Sequence, residues 1–172
     1  LSGTVEAARR GALETAPDII AVVDSGSVSM GLGLCAIAAA RAAQGGAGRA
    51  ECAAAAEAVA RKLHIAVAFE TLEYLRRGGR IGRAKAFLGG LLRLKPILTV
   101  RDGEAFPVTR VRSRAKAIEE LFALCTKHEG VSDIVVLHTT TPSDGADLAR
   151  RAREAVPAAT VTDFCKFRPV YV

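Results

Sequence analysis

Leu72-Glu73-Tyr74-Leu75-Arg76-Arg77-Gly78-Gly79-Arg80-Ile81-Gly82-Arg83 packs glycines and arginines into one short break between apolar segments. Glycine accepts a positive φ and lets another chain or a ligand come close. An arginine beside it offers a planar donor fork that fits carboxylate or phosphate. From Tyr74 to Arg101 there is no acidic residue, while Lys85, Arg93 and Lys95 add to the cations of the segment. The chemistry expected here is anion binding. Gly78-Gly79-Arg80-Ile81-Gly82 lacks the Lys-Ser/Thr ending of a nucleotide phosphate loop.

Other reactive side chains are scattered. Cys35, Cys52, Cys125 and Cys165 include no CxxC pair, and His64, His128 and His138 are equally dispersed. That spacing predicts no metal site, no catalytic nucleophile–base pair and no cofactor, and reads as four reduced thiols in a cytoplasmic protein. The Ser2-Gly3 pair combines a hydroxyl with a free backbone. It suits an anion as well as it suits a helix cap or turn.

These residues need elements to carry them. Val5 to Ala16 predicts a short helix stopped by Pro17. Ile19 to Val23 is a continuous apolar run, the pattern of a strand buried on both faces. Asp24-Ser25-Gly26-Ser27 follows it and precedes Val28 to Gln44, a helix apolar on nearly every face and therefore expected to be sandwiched. Arg49 to Leu63 predicts another helix, His64 to Phe69 a strand, and Ala84 to Leu94 an amphipathic helix. Two strand-like runs, Pro96–Val100 and Ala105–Val111, flank Asp102-Gly103, a strong hairpin signal. Ser113 can cap a helix running to about Glu129; a strand at Ile134–Leu137, a helix at Ser143–Ala155 and a strand at Thr160–Phe164 complete the order.

Alternating strands and helices interrupted by one hairpin imply an α/β chain with mixed sheets. The expected domains are 1–63, a partial first α/β/α domain, and 64–172, a mixed-sheet α+β second domain. The 172 residues carry a net charge of +6, which favours acidic partners without choosing among them. No window is apolar enough to span a bilayer, so no transmembrane segment is expected. Arg110, Arg112 and Arg114 recur at every second residue, which on a strand makes one basic face.

Leu1-Ser2-Gly3-Thr4, Val23-Asp24-Ser25 with Ser27 to Gly33, Thr71 to Gly82, Lys95-Pro96-Ile97-Leu98 and Val111-Arg112-Ser113-Arg114 occur in an order that resembles the DegV family of bacterial fatty-acid-binding proteins. The resemblance runs from residue 1 to about 140. It implies a two-domain DegV-like fold that holds a long-chain fatty acid, with the carboxylate at the interdomain cleft near Ser2, Gly3 and Arg80. It also implies that a separate ATP-dependent fatty acid kinase subunit is a possible partner, docking at Arg83; the alternating stripe that includes Arg110 and Arg112 is consistent with docking as well, although a solvated basic face would look the same. On this reading the chain is a carrier and not itself an enzyme. An amino-terminal strand–helix lobe and a Thr-His-Thr-Gly-Pro-Gly-like stretch of that family have no counterpart here, so the chain resembles a fragment.

Each buried methylene of an acyl tail contributes about 0.8 kcal/mol, so affinity needs apolar walls and a few donors at the mouth. Phe69, Leu88, Leu91, Leu92, Ile97, Leu98, Phe106 and Val108 are the expected walls, although ordinary core residues look the same. The competing reading is a basic nucleic-acid-binding or protein-interaction module without a lipid. Scarce aromatics and the lack of a helix-turn-helix or zinc pattern argue against nucleic acid.

Overall fold

The computed structural model describes residues 2–88 and 94–165, with Phe164 and Cys165 described by their backbone alone. Leu91 and Leu92 lie outside the described residues, as do residues 89–93 of the helix expected to reach Leu94, and Leu94 itself is not helical. The described residues form two units. One takes in residues 2–65, 71–88 and 98–108, and the other 66–70, 94–97 and 109–165. Segments 71–88 and 98–108 thus belong with the amino-terminal helices although they follow residue 63 in the chain.

The first unit begins with helix α1 (Thr4–Thr15), which ends just ahead of Pro17. Helix α2 (Ser29–Gln44) packs against α3 (Arg49–Ala60). Their alanine-rich facing sides allow that approach, and Cys35 and Ala56 are buried. Glu51 opens α3 by accepting the Gly48 amide at 2.7 Å.

Two expectations fail here. Residues 19–23 form no strand, and Ile19 and Ile20 remain 75% and 44% exposed. A strand needs a ladder partner, and among the described residues none pairs with this run; the amides of Ile19 and Ile20 instead both donate to Ala16 O. Helix α2 is likewise not sandwiched, because α3 covers one side and Leu32 stays 51% exposed.

Strand β1 (Val67–Ala68) is shorter than the expected 64–69. It joins an open three-stranded sheet in the order β1-β2-β3, with β2 spanning Lys95–Arg101 and β3 Glu104–Val111. The β2–β3 link turns on Asp102 and Gly103, both at positive φ (50° and 71°), the geometry that two-residue hairpins prefer. At the start of β2, Pro96 O accepts the Phe69 amide at 2.9 Å, and Pro96, Ile97 and Leu98 are all buried.

In the second unit, α5 (Arg114–Thr126) is capped as expected, Ser113 Oγ accepting the Lys116 amide at 3.2 Å. Strands β4 (Asp133–His138) and β5 (Thr160–Cys165) run parallel, Ile134 opposite Val161 and His138 opposite Cys165. Helix α6 (Pro142–Ala155) connects them and seals the core of Ile134, Val136, Ala149 and Ala152. The short first-turn residue Gly145 leaves room for the His138 ring, whose Cγ would lie 3.1 Å from a Cβ at that position.

Candidate functional site

The Gly/Arg segment folds as two short pieces of the first unit. Helix α4 (Glu73–Arg77) ends at Gly78, and a 3-10 turn spans Gly82–Phe87 where a longer helix is expected. Acidic residues just outside the acid-free stretch reach back into it. Glu73 receives Arg76 through two hydrogen bonds (2.9 and 2.8 Å) and Arg77 through a third (2.7 Å), so these arginines are not simply solvated. Hydrogen bonds from Arg76 and then Arg77 lower the Glu73 carboxyl from an ordinary 4.5 to about 2.

A depressed carboxylate supports the fold above its ordinary value, and that support is lost as pH falls toward the lowered one. The Glu73 clamp on α4 should therefore be intact at pH 5 and be lost as pH falls toward 2. Carboxyl-carbon NMR of Glu73, with Glu73→Gln as reference, checks this; titration at an ordinary glutamate value would reject it.

Arg80 is exposed, and its Nη1 donates to Gly78 O at 2.6 Å, bracing the glycine turn. Ser2 is exposed at the start of α1, where its Oγ lies 2.7 Å from Thr4 Oγ1 and accepts the Thr4 amide at 3.2 Å. Gly3 is the first residue outside that helix. Ser2, Gly3 and Arg80 all belong to the first unit.

Gly82 accounts for the last glycine of the segment. Its φ is +50°, and a Cβ there would lie 2.9 Å from Ala105 O and 3.0 Å from Ala105 N. Only a residue without a side chain lets the 3-10 turn press this closely on β3. The contact sets the next residue, Arg83, over the Phe106 ring at 5.1 Å from its centroid, with Nε 3.8 Å from Glu104 Oε2. Arg101 approaches the same ring at 5.8 Å.

The expected walls scatter. Ile97 and Leu98 are fully buried, Phe69 and Phe106 half-buried, Leu88 and Val108 exposed. Being consecutive on β2, Ile97 and Leu98 point to opposite faces. Among the described residues none of the expected walls lines the cavity of about 290 Å³ in the first unit, which is bounded instead by Ala21, Val23, Leu32, Cys35, Cys52 and Ala56 among others. Sequence reasoning missed this cavity because alanine-rich helix faces announce close packing, not space.

The expected basic stripe breaks up. Strand β3 ends at Val111, so Arg110 alone of the three lies on it; Arg112 is exposed beyond it, and Arg114 opens α5, bound to Asp144 at 2.5 Å. Asp24 Oδ1 and Ser25 Oγ hold the turn before α2 by accepting the amides of Gly26 and Ser27. Burial raises the Cys35 and Cys125 thiols, away from nucleophilic use. Cys35, Cys52 and Cys125 are free thiols. No three metal-ligating side chains gather among the described residues, and no described helix is long and apolar enough to cross a membrane.

The family described as uncharacterised protein, DegV family, matches residues 1–171. The chain belongs to the DegV family. A DegV domain-containing protein of Streptomyces coelicolor is 42% identical over 159 residues, covering 91% of this chain and 56% of the relative. A solved DegV family protein of Thermus thermophilus, described by its fatty acid binding, shares 35% identity at a TM-score of 0.78, covering 94% of this chain and 60% of that one. A Corynebacterium glutamicum DegV family structure shares 26% identity at a TM-score of 0.85, covering 96% and 64%. This DegV chain thus spans a little over half the length of the curated relative, and its mixed α/β fold is that of the solved DegV structures.

Proposed function

We propose that this chain is part of a long-chain fatty acid carrier that binds the carboxylate through Ser2, Gly3 and Arg80. The likeness to the fatty-acid-binding Thermus thermophilus protein supports this reading most directly. The local chemistry agrees with it. Ser2 and Gly3 stand at the amino end of α1, where the helix dipole favours a carboxylate. Arg80 uses one guanidinium nitrogen on Gly78 O, and its planar fork has further N–H groups for an anion. Both come from one unit. The acyl tail is assigned to apolar side chains, of which Leu88, Leu98, Phe106 and Val108 belong to the same unit.

The acid is then presented to a separate ATP-dependent kinase subunit that forms the acyl phosphate. Arg83, Arg110 and Arg112, all exposed, are the residues assigned to that encounter. The domain division proposed at residue 63 separates the Ser2 element from β1 onward in chain order.

Native mass spectrometry of the intact protein should find a co-purified acyl chain. Arg80→Ala should weaken rebinding by about tenfold or more, the scale of one lost charged hydrogen bond, and Ser2→Ala by less. Protein that is repeatedly empty and does not take up added fatty acid would reject the proposal. With ATP and fatty acid alone the protein should yield no acyl phosphate.

A further inference from the structure

Phe106 sits beneath two cations. The Arg83 and Arg101 guanidinium carbons lie 5.1 and 5.8 Å from its ring centroid, both within cation–π range. Both arginines are exposed. Residues 104, 106 and 108 share one face of β3 by strand alternation, so Glu104, Phe106 and the exposed Val108 lie along it. Among the described residues Glu104 is the one carboxylate within ion-pair distance of either arginine, and at 3.8 Å it holds Arg83 loosely. The Gly82 contact with Ala105 fixes the backbone from which Arg83 reaches the ring. A long side chain in water loses entropy when it is ordered for binding; stacking on Phe106 removes part of that cost beforehand.

We propose that Phe106 is the positioning residue for Arg83 and Arg101, holding the two guanidinium forks as a paired contact for a carboxylate-rich surface of the partner protein. This rests on the carrier reading above and adds Arg101 and Phe106 to its docking surface. Arginine suits the role better than lysine because its planar group can stack on the ring with one face and donate to carboxylates from its edge. Glu104 occupies Arg83 in the unbound protein and is displaced on binding.

Poly-L-glutamate serves as the probe, titrated into the intact protein at two salt concentrations and followed by arginine Nε–Hε NMR. The wild type should show ring-shifted Arg83 and Arg101 signals that move together on titration. Phe106→Leu should collapse both signals and weaken binding about fivefold, while Phe106→Tyr, which retains a ring, stays within about twofold of wild type. Arg101→Lys keeps the charge, lies on the surface and should weaken binding nearly as much as Arg101→Ala; Glu104→Gln should strengthen it.

Binding that ignores Phe106→Leu while Arg83→Ala abolishes it, or equal binding by Arg101→Lys and wild type, would overturn the proposal. So would arginine signals with no ring shift. The carrier reading fails separately: it is judged by the acyl chain retained in wild type and in Arg101→Ala, which keeps its load if that reading holds. Poly-glutamate binding is the readout here.

Discussion

Ile97→Ala should be strongly destabilising, by about 2–5 kcal/mol, the range for cutting a buried isoleucine back to alanine. Ile97 is fully buried and is the largest such side chain among the described residues. It sits between buried neighbours Pro96 and Leu98 on β2, the middle strand of its sheet. A cavity left there can close little, because Ile97 lies on the middle strand of its sheet between buried neighbours. Urea unfolding should show a lower midpoint at unchanged slope. A change below about 1 kcal/mol would mean that the strand is not the rigid centre its burial implies. Exposed Leu13, at 70%, is the matching control, with a change inside about 0.5 kcal/mol on replacement by alanine.

That contrast marks what the residue pattern could and could not reveal. Asp102-Gly103 located the hairpin because its turn demands positive φ at both residues, a local requirement that sequence states directly. Ser113 and Pro17 marked helix ends for the same reason: a side-chain cap or a missing amide acts within a few residues. The Ile19–Val23 run misled because its composition reports a preference for burial, whereas a strand also needs a partner ladder that composition does not supply. Residues 84–88 misled differently. Their apolar spacing suits an α-helix, yet Gly82 pressed on Ala105 fixes a tighter turn from the start.

The candidate site was legible in kind and not in arrangement. An anion-seeking segment was visible in its glycines and arginines, but the acids that answer Arg76, Arg77 and Arg83 lie just outside it, at Glu73 and Glu104. Phe106 is the plainest case. Its apolar side chain suggested a wall for an acyl tail, and only the fold discloses two arginines over its ring. Long-range placement of this kind depends on backbone approach, which no window of neighbouring residues records.

Gly82→Ala tests that dependence with the second large effect. A non-glycine residue in the left-handed region costs roughly 1–2 kcal/mol. The new Cβ would in addition meet Ala105 backbone at 2.9–3.0 Å, atoms that cannot swing aside as a side chain can. Crowding of this sort typically costs about 1–3 kcal/mol, so a total loss of about 2–5 kcal/mol is expected. Gly79→Ala provides the comparison: its φ is +69°, but no atom lies within 4 Å of the added Cβ, so backbone strain acts there alone. Gly82→Ala should therefore be the more destabilising of the two by chemical denaturation. It should also shift the Arg83 signal away from its ring-stacked position, because the turn must back off β3 to make room. Equal losses at the two glycines, with Arg83 unmoved, would show that the approach to Ala105 does not set the arginine's place.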